Sequence, residues 1–242
     1  MVPTQLAVIA DPNRWQLLHH LAASDRRVGE LTRLLDQPQN LVSYHLRELR
    51  TAGLVSSRRS SFDGRDAYYR VDLDRCAAVL QAAGAALDPG LRLGIIPPAP
   101  RRGRGPKPRV LFLCTGNSAR SQMAEALLVE RSDHTIVARS AGSAPKVLHP
   151  HAVAVMAARG IDISGNATKH LDRFTGDAFD AVVTLCDKVR EVCPEFPGDG
   201  AVAHWSIPDP AADGHRAAFE AVADDLEGRI RHLISRLGAT HG

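Results

Sequence analysis

Val110-Leu111-Phe112-Leu113-Cys114-Thr115-Gly116-Asn117-Ser118-Ala119-Arg120-Ser121 decides how the larger part of this 242-residue chain folds. Four apolar residues predict a short buried strand that closes at Cys114, and Met123, Ala124, Leu127 and Leu128 predict a helix beginning near Ala119. The loop between them is long enough to wrap one oxyanion. Consecutive backbone N–H groups from Thr115, Gly116, Asn117, Ser118 and Ala119 can form a concave nest, and the start of the helix adds positive potential. Arg120 supplies a planar fork for two oxygens of a tetrahedral anion. The same field favours the thiolate of Cys114: a free thiol ionises near ~8.5, whereas cysteines at helix starts or beside a cation ionise at roughly 3.5–7.5. Ser121 is placed to donate a hydrogen bond to that sulfur, and Asn117 to brace the loop. The alternative is a structural cysteine buried in a strand-to-helix turn.

Outward from this stretch the pattern alternates. Val110–Leu113, Thr135–Ala141, Ala181–Leu185 and Ala201–Trp205 read as strands, separated by helical segments at Met123–Arg131 and Pro150–Arg159. A last helix places Phe219, Val222, Leu226, Ile230, Leu233 and Leu237 on one face. Such alternation predicts an α/β domain with a parallel sheet and its ligand at the carboxyl ends of the strands, where Cys114 stands. Asp209-Pro210, after Trp205-Ser206-Ile207-Pro208, is a rigid loop that can bring a general acid to a leaving oxygen, although a Pro-flanked Asp is also an ordinary turn residue. Cys186 and Cys193 lie seven apart. A helix between them would hold their Cα atoms about 10 Å apart, against the 5.5–6 Å or so of a disulfide, so bridging them requires the segment to unwind.

The N-terminal part differs in kind. Residues 1–108 carry sixteen Lys/Arg against ten Asp/Glu, and residues 109–242 carry fourteen against seventeen, so a net charge of +3 conceals a basic and a mildly acidic part. Asp11-Pro12 opens a helix whose buried face is expected at Trp15, Leu18 and Leu21. Val28, Leu31, Leu34 and Leu35 make a second, and Gln39 to Ala52 a third, ended by Gly53. On the third, Val42, Leu46 and Leu49 share one face and leave Gln39, Asn40, Ser43, Tyr44, Arg47 and Arg50 on the other, the form of a helix that enters a DNA major groove. Leu54–Phe62 and Ala67–Asp72 flank Asp63-Gly64 as a hairpin, with Arg58, Arg59 and Arg65 where a wing would meet phosphate. A three-helix core with a hairpin and no DNA role accounts for the apolar pattern equally well. A helix over Leu73–Leu87 follows, with Val79, Leu80, Ala83 and Leu87 on one side.

Residues 88–108 are rich in Pro, Gly and Arg and lack a packing period, which marks a linker. The expected organisation is therefore a winged helix-turn-helix domain at 1–88, a linker at 89–108 and an α/β domain at 109–242. With 44% hydrophobic and 24% charged residues and no long apolar run, the chain reads as cytoplasmic and not membrane-bound. Four cysteines without a dense framework suit a reducing compartment.

Two resemblances add to these readings. Residues 5–87, through the string Gln39 to Val55 and the hairpin end Tyr68-Tyr69-Arg70-Val71, resemble the ArsR-type winged-helix repressors. That implies a homodimer built on terminal helices and reading a two-fold operator. Many members sense arsenite or metals through clustered cysteines, yet Glu30-Leu31-Thr32-Arg33-Leu34-Leu35-Asp36 has none, and Cys76 in an Ala-rich helix reads as a core residue. Residues 109–237 resemble the thioredoxin-coupled arsenate reductases, which share the low-molecular-weight tyrosine phosphatase fold. The matches are Leu113 to Glu125, Arg139-Ser140-Ala141-Gly142, Gly160-Ile161-Asp162-Ile163-Ser164, Thr184-Leu185-Cys186 with Cys193-Pro194, and Asp209-Pro210-Ala211.

The second resemblance implies a four-stranded parallel sheet and no tightly bound cofactor. Cys114 would attack arsenate held by Arg120 and the loop, with phosphate or sulfate as competitors, and Asp209 would protonate the departing hydroxyl. Cys186 would then attack Cys114, and Cys193 would pass the redox-active disulfide outward to thioredoxin or another thiol reductant. Some relatives also bind a monovalent cation, potassium, near positions matching Asn117, Glu125 and Ser140. A phosphatase on the same fold is the rival: it needs only Cys114, Arg120 and Asp209 and usually carries an aromatic where Ala211 stands. An oxyanion- or redox-sensing repressor is a third reading.

Overall fold

The computed structural model describes residues 4–88, 91, 106–192 and 201–240. The chain divides into two compact units, Met1–Ile96 and Pro97–Gly242. The expected linker at 89–108 lies outside the described residues apart from Leu91 and 106–108.

In the first unit α1 (Thr4–Ile9), α2 (Pro12–Ala23), α3 (Val28–Leu35) and α4 (Gln39–Thr51) precede a hairpin of β2 (Val55–Arg59) and β3 (Ala67–Val71), and α5 (Leu73–Leu87) closes the unit. A two-residue strand, β1 (Arg26–Arg27), joins the far side of β3, so the described sheet is antiparallel in the order β1-β3-β2. This is a winged helix-turn-helix. Ile9, Leu17, Leu21, Leu31, Leu46, Leu49 and Leu54 form its core.

Two expectations on this core need correction. Trp15 is 55% exposed, because the buried stripe of α2 is centred on the i,i+4 pair Leu17 and Leu21, and Trp15 lies about 200° around the helix from Leu17. Leu34 on α3 is likewise exposed. On α4 the buried face also takes in His45, whose ring nitrogens have no hydrogen-bond partner among the described residues. Cys76 behaves as expected of a packed residue: it contacts the core, and burial, aided by the Asp72 carboxylate, pushes its thiol up to about 11.

The start of α2 shows how sequence becomes stability. Asp11 accepts from the backbone N–H groups of Asn13 and Arg14, both at 3.0 Å, and Pro12 occupies the first turn, where its missing N–H costs nothing. The Arg14 N–H chiefly holds the Asp11 carboxyl below its usual range, helped by the charges of Arg14 and His45 and opposed by burial. A carboxylate depressed in the folded state stabilises above its unfolded pKa and loses that contribution as pH falls through the folded value. Asp11→Ala is therefore expected to lower stability by about 1 kcal/mol at neutral pH. The gap to wild type should close in acid, as urea denaturation at several pH values would report.

The second unit runs β4 (Arg109–Cys114), α6 (Arg120–Arg131), β5 (Val137–Gly142), α7 (Pro150–Ala157), a 3-10 turn (Leu171–Phe174), β6 (Ala181–Thr184), α8 (Asp187–Val192), β7 (Ala201–His204), α9 (Pro210–Asp213) and α10 (Arg216–Thr240). The described strands form one parallel sheet of four in the order β5-β4-β6-β7. Val110 to Cys114 are all buried, as a central parallel strand covered on both faces requires. Burying each large side chain, Phe112 above all, contributes about 1.5–3 kcal/mol. On α10, Phe219, Val222, Leu226, Ile230, Leu233 and Leu237 are buried as the periodicity predicts, and the helix packs on α6 and α7. No described helix is long and apolar enough to cross a membrane.

Candidate active site

The loop after β4 lies at the carboxyl edge of the sheet, and its backbone is held from outside. Ser143 N, Ala144 N, Lys146 N and His149 N donate to the carbonyls of Cys114, Thr115, Gly116 and Ser118 at 2.9–3.3 Å. A trans peptide sets its N–H opposite its C=O, so the amides of Thr115, Gly116, Asn117 and Ala119 face the other way. One of them, Asn117 N, donates to Cys114 Sγ at 3.2 Å. The helix begins at Arg120, with Ala119 as its cap residue.

Asn117 carries the turn at φ 46°, a left-handed conformation that asparagine tolerates better than most residues. The end of β5 passes against it so closely that a Cβ on Gly142 would come 2.5 Å from the Thr115 carbonyl oxygen and 2.8 Å from Asn117 N. Only glycine fits there.

Around the sulfur the sequence-derived residues converge. Ser121 Oγ is 3.0 Å from Cys114 Sγ. Asn117 Nδ2 donates to Ser121 Oγ at 2.9 Å, which leaves the serine proton for the sulfur. Arg120, 6% exposed, donates from Nη1 to the Ile207 carbonyl at 3.0 Å and pairs through Nη2 with Asp209 Oδ2 at 3.1 Å. The arginine that would hold an oxyanion is thus already set against the carboxylate that would serve as its acid. Asp209 Oδ1 meanwhile caps α9 by accepting from Ala211 N, and Ala211 is exposed. Nearby His149 stacks on Phe219 at 4.4 Å, and burial, aided by His151 and opposed by Asp209, lowers its pKa.

Cys186 is buried against the loop, its Sγ 3.3 Å from the Thr115 hydroxyl. The next residue, Asp187, is anchored. Its Oδ1 accepts from Ser206 Oγ at 2.7 Å and faces His204 Nε2 at 3.0 Å, while His204 Nδ1 lies 2.8 Å from Thr184 Oγ1. Cys193 lies outside the described residues.

Two participants went unread in the sequence. Gln122 donates from Nε2 to Asn117 Oδ1 and to the Ala167 carbonyl, both at 3.1 Å. Lys169 donates from its backbone N to Asn117 Oδ1 at 2.8 Å and from Nζ to Glu125 Oε2 at 3.1 Å. Among the described residues no group of three or more His, Cys, Asp or Glu could hold a metal ion.

In the first unit Gln39, Asn40, Ser43, Tyr44, Arg47 and Arg50 are all exposed along one side of α4, and Arg47 lies over the Tyr44 ring at 5.5 Å. On the hairpin, Arg59 Nη1 donates to the Gly64 carbonyl at 3.1 Å, and Arg58 Nη1 to the Arg59 carbonyl at the same distance. The Arg65 fork is held by Asp63 at the tip.

Residues 109–241 match the family described as low molecular weight phosphotyrosine protein phosphatase, and residues 11–57 match the bacterial regulatory proteins of the arsR family. An arsenate reductase of Bacillus cereus is 38% identical over 125 residues, which is 52% of this chain and 92% of that protein. A glutaredoxin arsenate reductase of a Synechocystis species is 33% identical over 130 residues, 53% of this chain and 98% of its own. The crystal structure of YfkJ from Bacillus subtilis, 22% identical, aligns with a TM-score of 0.50 over 58% of this chain and 100% of that one, a likeness of fold alone. With its oxyanion loop, parallel sheet and winged-helix unit, the chain belongs to the low molecular weight phosphotyrosine protein phosphatase family, among its arsenate reductase relatives, and carries an arsR-family unit ahead of that fold.

Proposed function

We propose that the second unit reduces arsenate to arsenite and that the first binds operator DNA as a transcriptional regulator of arsenic detoxification. The observation that carries the reductase reading is Cys186, a second thiol held at the oxyanion loop by Thr115, which hydrolysis of a phosphate ester would leave idle.

Arsenate enters the nest of loop amides and exchanges the Arg120–Asp209 pairing for its own contacts with Arg120. The Cys114 thiolate forms a bond to arsenic as one oxygen departs as water, protonated by Asp209. Cys186 then attacks Cys114 Sγ. The arsenic–sulfur electron pair stays on arsenic, which leaves as arsenite, and a Cys114–Cys186 disulfide remains. The two electrons gained by arsenic are thus the two lost by the thiols. Cys193 attacks Cys186, frees Cys114 and presents a Cys186–Cys193 disulfide to thioredoxin or another thiol reductant.

Arsenate-dependent NADPH oxidation with thioredoxin and its reductase tests this reading. Steady turnover is expected. Efficient hydrolysis of aryl phosphates with no arsenate reduction would favour the phosphatase instead, and the exposed Ala211, where an aromatic would stack on a substrate ring, speaks against that outcome.

For the first unit, the polar face of α4 would read base edges and the hairpin arginines would meet phosphates. Leu80 and Leu87, exposed on α5, suit the seam of a homodimer. Arg58→Ala is expected to weaken binding uniformly across sequences and to reduce the slope of log affinity against log salt by about one. Gel-shift titrations against the DNA upstream of its own gene and against random duplex, at several salt concentrations, would measure both effects.

A further inference from the structure

The residues expected to help hold a potassium ion, Asn117, Glu125 and Ser140, do come together, but their polar atoms are already spoken for. Asn117 uses all four of its amide valences. Its Nδ2 donates to Ser121 Oγ at 2.9 Å and to Ser140 Oγ at 2.8 Å, and its Oδ1 accepts from Lys169 N and Gln122 Nε2. Ser140 Oγ donates a hydrogen bond to Glu125 Oε2 at 2.5 Å. The same carboxylate oxygen accepts from Lys169 Nζ at 3.1 Å, and both charged side chains are about 85% buried. Potassium requires several oxygens free to turn toward it. Here the Asn117 carbonyl faces two donors, and the cationic place beside Glu125 holds an ammonium.

We infer that the Lys169 ammonium stands in for a dissociable monovalent cation and, through Glu125, Ser140 and Asn117, positions the oxyanion loop and the Cys114 sulfur. Each link has a forced direction. Glu125 can only accept, so Ser140 donates to it and accepts a hydrogen bond from Asn117. The other Asn117 proton goes to Ser121, whose own proton is left for Cys114. Lys169 grips this chain at both ends, with its backbone N–H on Asn117 and its ammonium on Glu125, and so helps to hold Asn117 at its positive φ. It also offsets a carboxylate that would otherwise add negative charge beside a site built for a thiolate and an oxyanion. Lys169 is a positioning residue: it acts on the loop whichever oxyanion is turned over there.

The test uses the purified full-length protein, with phosphate affinity measured by calorimetry and the rate of Cys114 alkylation by iodoacetamide followed by mass mapping. Potassium chloride and choline chloride are compared at equal ionic strength. Wild type is expected to give the same values in both salts. Lys169→Gln in choline should lose about tenfold in each, the size of one charge-assisted contact, and regain most of it in potassium as a free cation enters the vacated place. A wild type that improves with potassium would overturn the inference. So would a Lys169→Gln that matches wild type in choline, or a loss that potassium fails to restore, which would leave Lys169 a structural contact only. If the variant does not fold, the wild-type comparison decides alone: indifference to potassium supports the inference and stimulation defeats it. Neither readout requires arsenate, so failure here is distinguishable from failure of the reductase reading.

Discussion

Cys114→Ser is expected to abolish arsenate turnover while leaving the loop able to bind phosphate. Asn117 N and Ser121 Oγ surround Sγ with donors, an arrangement that stabilises an anion on that atom. A serine hydroxyl stays protonated at neutral pH, and the neighbouring Ser121 is itself a donor in this chain of hydrogen bonds. Nor can serine form the disulfide that removes electrons from the site. The expected loss is on the order of 10⁴-fold or more. Oxyanion affinity follows a different rule. Arg120 and the inward amides of Thr115, Gly116, Asn117 and Ala119 remain, and a like charge is gone, so phosphate should bind as tightly as in wild type or more tightly. Calorimetry with phosphate and an NADPH-coupled assay with arsenate separate the two. Turnover surviving at a few per cent of wild type would mean that Cys114 is not the nucleophile.

Cys114, Arg120 and Asp209 were legible because each sits at a position that local pattern defines. An apolar run ends at Cys114, a helix starts at Arg120, and Pro210 fixes Asp209 in a tight loop. The meeting of Arg120 and Asp209 at 3.1 Å then follows from a parallel sheet that brings strand ends to one edge. Lys169 was not legible. It lies forty-four residues from Glu125, in a segment with no regular element of its own, and reaches the loop because Gly142 N donates to the Lys169 carbonyl and Gly142 has no side chain to keep Asn117 away. Spacing along the chain carries no trace of such a contact. In the first unit the same contrast holds. The 3.6-residue period on α4 correctly left Tyr44 and Arg47 outside, whereas the two-residue β1 is too short to show an alternation, and His45 is a polar residue drawn inward by its place between Val42 and Leu49.

Cys193→Ser is expected to carry out one turnover and stall as a Cys114–Cys186 disulfide, whereas Cys186→Ser should release no arsenite through the relay. Reduction takes two electrons, and Cys114 alone has one thiol to give. Cys186 is buried at the loop, its sulfur against the Thr115 hydroxyl one residue beyond Cys114. The next bond is harder. All six residues between Cys186 and Cys193 are helical, and positions seven apart on a helix stand about 10 Å from each other, while a disulfide closes at Cα separations of about 5.5–6 Å. Asp187 is held in place by Ser206 and His204, so the change of shape has to come from the later turns of α8, not from its first residue. Unwinding would also expose the new disulfide to an attacking thiol, which a buried Cys114–Cys186 bond does not offer. Hydrolysis of a small aryl phosphate needs only Cys114, the loop with Arg120, and Asp209, so neither substitution should much reduce it. Disulfide mapping by mass spectrometry after one equivalent of arsenate reads the outcome directly. Sustained turnover by Cys193→Ser with thioredoxin as sole reductant would show that the reductant reaches Cys114–Cys186 itself and that the third thiol is dispensable.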